Sequence, residues 1–91
     1  MATLAIYEKD AKEVQDYDID FSRWLSTWSD ALSSFSLTAD PGITIVSSSR
    51  SGNVVKVWVS NGTAGTVYNI DVLGTTTGGR VKLAEISIKV R

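Results

Sequence analysis

The stretch Val54-Val55-Lys56-Val57-Trp58-Val59-Ser60, followed by Asn61-Gly62-Thr63-Ala64-Gly65, decides the fold class of this 91-residue chain. Side chains alternate in it with a period of two, which is the pattern of a β-strand. The alternation places Val55, Val57 and Val59 on one face. Asparagine and glycine then end the strand in a turn. The stretch therefore predicts a strand whose valine face needs a second layer of structure to cover it.

The second half of the chain contains three further stretches of this kind. With the first stretch, they predict strands over residues 43–49, 54–60, 66–73 and 80–91. The connections between them are too short for crossover helices, so we expect consecutive strands to pair as antiparallel hairpins. Val81 and Leu83 are out of phase with the apolar positions that follow them, which predicts a β-bulge near Leu83.

The first half of the chain supplies the covering layer. Tyr17, Ile19 and Phe21 alternate with aspartates, which predicts a strand with one buried and one acidic face. Phe35 and Leu37 indicate another strand. Between these strands, four apolar residues recur at spacings of three and four, typical of a short helical turn, although an aromatic loop also fits; they are Trp24, Leu25, Trp28 and Leu32.

The domain organisation follows from these assignments. Residues 1–15 are expected to form an N-terminal edge strand or arm, with Thr3–Tyr7 as the candidate strand, followed by a polar connector, and residues 16–91 a single β-sandwich domain. Trp24 and Trp28 are expected to fill the open end of the core, because aromatic side chains bury a large area. The predicted core residues are Phe21, Trp24, Tyr68, Ile70, Ile86 and Ile88.

Composition excludes most chemistry. The chain has no cysteine and no histidine, which removes thiolate nucleophiles, imidazole acid-base catalysis and the usual zinc ligands. We therefore expect no enzyme activity, no catalytic residue and no cofactor. A net charge of −1 argues against nucleic-acid binding, and no apolar stretch is long enough for a membrane helix.

The charges are unevenly distributed along the chain. Residues 1–45 carry three basic and eight acidic side chains, whereas residues 46–91 carry six basic and two acidic ones. Two arrangements are open. The fold either keeps the two sets on separate faces, so that copies meet acidic side to basic side, or mixes them so that the asymmetry cancels.

An acidic triplet and an outward tryptophan form the candidate site. Asp16, Asp18 and Asp20 begin like a calcium-binding loop, but Phe21 replaces the required glycine and Thr27 the required glutamate, so no metal site is predicted. The triplet is better explained as a solvated or partner-facing strand edge. Trp58 is either covered by the loop bearing Trp24 or exposed at an interface. The candidate interface residues are Asp16, Asp18, Asp20, Lys56 and Trp58.

Several segments together resemble a known family. The chain from Lys9 onward is similar to the phage fibre-tail adaptor proteins, which are short structural proteins of tailed phages. The resemblance is carried by residues 16–25, 42–46, 57–68, 75–80 and 86–91. Within them, the Gly65-Thr66-Val67-Tyr68 arrangement recurs in immunoglobulin-like domains, where the tyrosine hydroxyl bonds backbone at a sandwich corner.

The resemblance implies a fold, a function and partners. It implies an immunoglobulin-like antiparallel β-sandwich of about seven strands. It also implies a virion component, made in the host cytoplasm, that joins tail and fibre proteins as a homo-oligomer. A capsid decoration protein, or a carbohydrate-binding module with Trp58 stacked on a sugar, is the alternative.

Overall fold

The computed structural model describes residues 3–91, with side chains from Ala5 onward. Seven strands and one short helix make up this range, and the predicted all-β fold is confirmed. The elements in chain order are β1 (Thr3–Lys9), β2 (Gln15–Asp20), α1 (Ser22–Ser26), β3 (Leu32–Ala39), β4 (Ile43–Ser51), β5 (Val54–Asn61), β6 (Val67–Thr76) and β7 (Val81–Val90).

The strands form two sheets, with the orders β1-β7-β6-β3 and β2-β5-β4. Every strand pair is antiparallel except β1 with β7, which is parallel. With the strands lettered A to G, the sheets are A-G-F-C and B-E-D, whereas constant-type immunoglobulin domains have A-B-E-D and C-F-G. The six strands after the first therefore follow that arrangement, and the first strand joins the opposite sheet.

Two of the three predicted hairpins are present. β4 pairs with β5 and β6 with β7, but β5 and β6 belong to different sheets, so the prediction that they pair is wrong. The chain leaves the three-stranded sheet at Asn61 and Gly62, whose φ angles are 64° and 102°. A Cβ on Gly62 would lie 2.7 Å from Cγ2 of Val90, so only glycine fits this approach. The hydroxyl of Tyr68 then accepts a hydrogen bond from the backbone N–H of Thr63 at 2.9 Å and holds the corner.

The core lies between the two sheets, where the alternating apolar positions of both meet. The predicted inward faces of β5, β6 and β7 are confirmed. The residues on these faces, all buried, are Val55, Val57, Val59, Tyr68, Ile70, Val72, Ala84, Ile86, Ile88 and Val90. From the first half of the chain, Tyr17, Ile19 and Phe21 are buried against them, while Phe35 and Leu37 are partly buried.

The predicted β-bulge near Leu83 is wrong. β6 and β7 pair in unbroken register from Val67 with Lys89 to Thr75 with Val81. Val81 and Leu83 are out of phase because they lie on the outer face of the sheet, where both are exposed. The register shifts of β3 and β4 fall in edge strands instead, between Leu32 and Ser34 and between Ile45 and Ser47.

The N-terminal segment forms an edge strand, β1, which extends beyond the predicted Thr3–Tyr7 range and ends at Lys9. The connector is therefore shorter than expected. Lys9 is 1% exposed, and its Nζ donates to the carbonyl oxygens of Asp10 and Asn61 at 2.9 and 2.7 Å. These hydrogen bonds satisfy a buried ammonium group and connect β1 to the end of β5. The first two residues of the predicted arm lie outside the described residues.

The helical spacing between β2 and β3 corresponds to a single turn and a loop. In α1, Leu25 is fully buried and Trp24 is partly buried against the core. Trp28 is 50% exposed in the loop that follows, so the prediction that it fills the open end of the core is wrong. Ser29 has a φ of 50°, which ends the helical path, and Leu32 is buried as the first residue of β3.

Replacement of Val55 by alanine should destabilise the fold far more than the same change at Val46. Val55 has no exposed surface, so the loss of two methyl groups and the resulting cavity should lower the free energy of unfolding by about 2 to 3 kcal/mol. Val46 is 55% exposed, and its replacement should cost no more than about 0.5 kcal/mol. Urea unfolding measures both values. Equal losses for the two variants would contradict the assignment of the core.

Candidate interaction surfaces

All five predicted interface residues lie on the outer face of the three-stranded sheet. β2 pairs with β5 so that Asp16 is opposite Trp58, Asp18 opposite Lys56 and Asp20 opposite Val54. Alternate positions of both strands are buried, which directs these side chains away from the core. We call this surface the Trp58 face; it consists of Asp16, Asp18, Asp20, Lys56 and Trp58, with Ser47 and Ser49 of β4.

Trp58 is the largest side chain on this face and is 39% exposed. The alternative in which the loop bearing Trp24 covers it is wrong, because Trp24 packs against the core on the inner side of the sheets. The backbone N–H of Phe21 donates to the carbonyl of Asn53 at 2.9 Å, which directs α1 across the end of the sandwich. An indole ring therefore remains accessible in the middle of a sheet face.

Lys56 connects the acidic strand to β5. Its Nζ lies 2.9 Å from Oδ2 of Asp16 and 3.3 Å from Oδ1 of Asp18. The hydrogen bond from Lys56 lowers the pKa of Asp16, and the same bond raises the pKa of Lys56. All three side chains are more than one third exposed, so these pairs orient charge more than they stabilise the fold.

The third strand of the sheet adds hydroxyl groups to this face. Ser47 is opposite Trp58 and Ser49 is opposite Lys56, and both serines are exposed. β4 is an edge strand and is paired on one side only. Trp58 therefore has carboxylates on one side and hydroxyl groups on the other, which offer polar contacts around an apolar centre.

The ion pairs settle how the uneven charges are arranged. Within the described residues, each of the four ion pairs joins an acidic side chain of residues 1–45 to a basic side chain of residues 46–91. They are Lys56 with Asp16, Lys56 with Asp18, Arg80 with Asp30 and Arg91 with Glu8. The two charge sets thus meet inside one molecule, which favours the mixed arrangement over separate acidic and basic faces.

A second surface, which sequence reasoning missed, lies on the outer face of the four-stranded sheet. Leu73 of β6 is directly opposite Leu83 of β7, and they are 40% and 37% exposed. Val81 continues this apolar row. The signal was present in the sequence as the phase break at Val81 and Leu83. We call the surface formed by Asp71, Leu73, Val81, Leu83 and Glu85 the leucine end of this sheet.

Two carboxyl groups lie beside the leucines. Asp71 and Glu85 are directly opposite each other, an arrangement of like charges that destabilises a strand pair. Desolvation, together with the charge of Glu85, raises the pKa of Asp71. The Oδ1 atom of Asp71 is buried and has no hydrogen-bond partner among the described residues.

Asp30 holds one end of the sandwich together. Its Oδ1 accepts hydrogen bonds from Ala31 N, Thr77 Oγ1 and Gly78 N at 2.8, 2.9 and 3.0 Å, and its Oδ2 lies 2.9 Å from Arg80. Hydrogen bonding holds the pKa of Asp30 well below its usual range. The largest contribution comes from the side chain of Thr76, and smaller ones come from Ala31, Thr77 and Arg80. The guanidinium of Arg80 also lies 4.5 Å from the ring centre of Trp28. The carboxylate therefore joins the loop before β3 to the β6–β7 turn.

The opposite end of the sandwich has an open groove that is fully engaged in structural contacts. It is lined by Glu8, Lys9, Asp10, Glu13 and Arg91. Lys9 binds backbone carbonyls, Arg91 pairs with Glu8, and Glu13 accepts from the backbone N–H of Asp10 at 2.8 Å.

Among the described residues there is no group of three or more His, Cys, Asp or Glu side chains that could hold a metal ion. The single helix found there, α1, is too short to span a membrane.

The fold and these surfaces define a small β-sandwich with two exposed sheet faces on which apolar and charged side chains lie together. Over residues 9–89, the sequence matches the family described as podophage GP4 fiber-tail adaptor protein gp77. The chain belongs to this family of phage structural adaptors, which is not an enzyme family, and the predicted resemblance is confirmed. No curated protein matches the chain.

Replacement of Asp30 by asparagine should reduce the stability of the protein at neutral pH and weaken its acid dependence. Because folding lowers the pKa of this group, it contributes stability above its ordinary value of 3.8 and loses that contribution as the pH falls below this value. Urea unfolding at several pH values between neutral and strongly acidic measures the effect. The exposed Thr27→Asn variant, which removes no carboxyl group, is the control and should keep the wild-type acid dependence. Parallel curves for wild type and Asp30→Asn would contradict this role.

Replacement of Asp71 by asparagine should increase the stability of the protein at neutral pH, the opposite of the effect expected for Asp30→Asn. Folding raises the pKa of Asp71, so the wild type gains stability as the pH falls through this raised pKa towards 3.8. Removing the like-charge contact should increase the free energy of unfolding at pH 7 by up to about 1 kcal/mol. Chemical denaturation at neutral and acidic pH checks both statements. A variant less stable than wild type at pH 7 would disprove the repulsion between Asp71 and Glu85.

Proposed function

We propose that this protein is a virion component that joins tail and fibre proteins of a phage, and that the Trp58 face is the surface it uses. The observation that carries the proposal is the exposed indole of Trp58 in the middle of a sheet face, flanked by the other predicted interface residues. Membership of a fibre-tail adaptor family supports the choice of tail and fibre proteins as partners.

Trp58 has the properties of an anchor residue. Tryptophan is enriched among the few residues that dominate binding energy, and such residues lie near the centre of an interface. The half-exposed ion pairs of Lys56 with Asp16 and Asp18 suit the rim, where charge sets orientation and association rate. We therefore assign affinity to Trp58 and orientation to the charged residues around it.

The proposal includes several copies of the chain per virion, assembled as a homo-oligomer after synthesis in the host cytoplasm. It includes no enzyme activity and no cofactor, because the chain lacks histidine and cysteine. It also includes no membrane or nucleic-acid partner. Carboxylates lie on the β2 side of Trp58, and these would repel the phosphates of a nucleic acid.

The two alternatives from the sequence are weaker. A capsid decoration protein would share the small β-sandwich, but the family to which the chain belongs is named for the fibre and tail. A carbohydrate-binding module would also use an exposed tryptophan. Both alternatives give distinct results in the experiment that follows.

Replacement of Trp58 by threonine should weaken binding to tail or fibre proteins about 30-fold, the effect of losing about 2 kcal/mol at an anchor residue. Threonine preserves the strand preference of the position, so the fold should be retained within about 1 kcal/mol. The measurement is titration of the purified chain against the tail and fibre proteins of the phage that encodes it. Circular dichroism and urea unfolding establish that the variant is folded.

The matched control is Val14→Thr, which alters an exposed apolar residue outside both sheet faces and should bind like wild type. Unchanged binding by folded Trp58→Thr would disprove the role of this face. Glycan binding that disappears in Trp58→Thr would favour the carbohydrate module. Location of the protein on the capsid by electron microscopy would favour the decoration protein.

A further inference from the structure

The outer face of the four-stranded sheet has two ends of opposite character. The leucine end carries Asp71 and Glu85 beside an apolar row, as described above. The other end, which we call the lysine end, consists of Ile6, Val67 and Lys89. Val67 is directly opposite Lys89, and Ile6 is next to the same strand, opposite Ser87. The two ends therefore combine exposed apolar side chains with charges of opposite sign.

The leucine end is suited to receive a positive charge. Asp71 and Glu85 place two carboxyl groups together, and the buried Oδ1 of Asp71 has no hydrogen-bond partner among the described residues. Leu73 and Leu83 lie next to this pair and are only partly covered. A cationic side chain that arrives together with apolar contacts would find a partially desolvated acidic site, where charge interactions are stronger than in open water.

The lysine end has the complementary character. Lys89 is exposed and takes part in none of the ion pairs found among the described residues. On the β1 side, Glu8 lies directly opposite Lys89, and its carboxylate is paired with Arg91. Val67 and Ile6 beside it are 52% and 73% exposed. The ammonium group of Lys89 is thus presented between Val67 on one side and Glu8, whose carboxylate is paired with Arg91, on the other.

We propose that a second copy of this chain binds on this sheet face, with the lysine end of each copy against the leucine end of the other. Lys89 of one copy then lies near Asp71 and Glu85 of the other. Val67 of each copy lies over the partner copy's Asp71, and Ile6 lies near the two-fold axis, opposite the partner copy's Ile6. A two-fold axis perpendicular to the strands relates the two copies, so every contact occurs twice, as in an isologous dimer.

Charge selects this orientation over the reverse one. If two copies met with the strands running the same way, each Asp71–Glu85 pair would face another such pair, and each Lys89 another lysine. Like charges brought together in this way disfavour the wrong arrangement. Glu85 and Lys89 are four residues apart on β7, which is about 13 Å along the strand. This distance separates the two ends enough for each to contact the opposite end of the partner copy.

The available area fits a modest contact. The four strands, seven to ten residues long and about 4.8 Å apart, present roughly 550 Å² per copy. A pair would bury on the order of 1,100 Å², in the range of small and weak interfaces. The proposal rests on the homo-oligomer included in the proposed function, but it uses the sheet opposite to the Trp58 face. The two contacts can therefore fail independently.

The test is a charge exchange between Lys89→Glu and Glu85→Lys, measured by sedimentation velocity over a range of concentrations. Wild type should dimerise. Each variant alone should dimerise at least about tenfold more weakly, because the symmetry places two repulsive contacts in each dimer. An equimolar mixture should recover dimers, since the carboxylate introduced by Lys89→Glu would meet the ammonium group introduced by Glu85→Lys. The second contact in the mixed dimer would still join the native Lys89 to the native Glu85.

The matched control is Lys12→Glu, an exposed charge reversal in the β1–β2 connection, which should dimerise like wild type. Recovery on mixing also demonstrates that both variants are folded. A monomeric wild type, wild-type association in both single variants, or a mixture that stays monomeric would overturn the proposal. Binding of tail proteins by the monomeric variants, measured in parallel, tests the Trp58 face separately.

Discussion

Val55, Val57 and Val59 of β5 have no exposed surface, and covering them is the constraint on which both sheets depend. Burial of apolar area is the largest favourable contribution to folding, and a domain of this size has little area to spare. The cover comes from alternate residues of β6 and β7, which lie in the other sheet. The chain must therefore leave its sheet after β5, and it does so at the corner that Gly62 and Tyr68 form.

Polar side chains close both ends of this sandwich. Asp30 receives hydrogen bonds from two separate loops at one end, and buried Lys9 donates to two backbone carbonyls at the other. Buried charges of this kind are tolerated only when their hydrogen bonds are satisfied. The charged groups Asp30 and Lys9 at the two ends are thus engaged in contacts within the chain.

The two outer faces differ in a way that suits an adaptor. The Trp58 face has one exposed aromatic ring between carboxylates and hydroxyls, whereas the face of the four-stranded sheet carries aliphatic rows and a pair of opposed carboxyl groups. We expect the opposed carboxyl groups of Asp71 and Glu85 to reduce the stability of the isolated chain, and a cationic contact would relieve this effect. A protein that joins others can tolerate this loss of folding stability, because binding to a partner stabilises the folded state.

Local patterns in the amino-acid sequence were enough to establish the strands, their inward faces and the grouping of Asp16, Asp18 and Asp20 on one side of β2. These features depend on alternation and on turn residues, which act over a few positions. The partners of each strand depend on contacts between distant residues, and only the folded chain decides them. The parallel pairing of β1, the separation of β5 from β6, the exposure of Trp28 and the outward leucines of β6 and β7 are of this second kind. An apolar residue out of phase looks the same in a sequence whether the backbone bulges or the side chain faces solvent, and the pairing register of β6 with β7 makes the distinction.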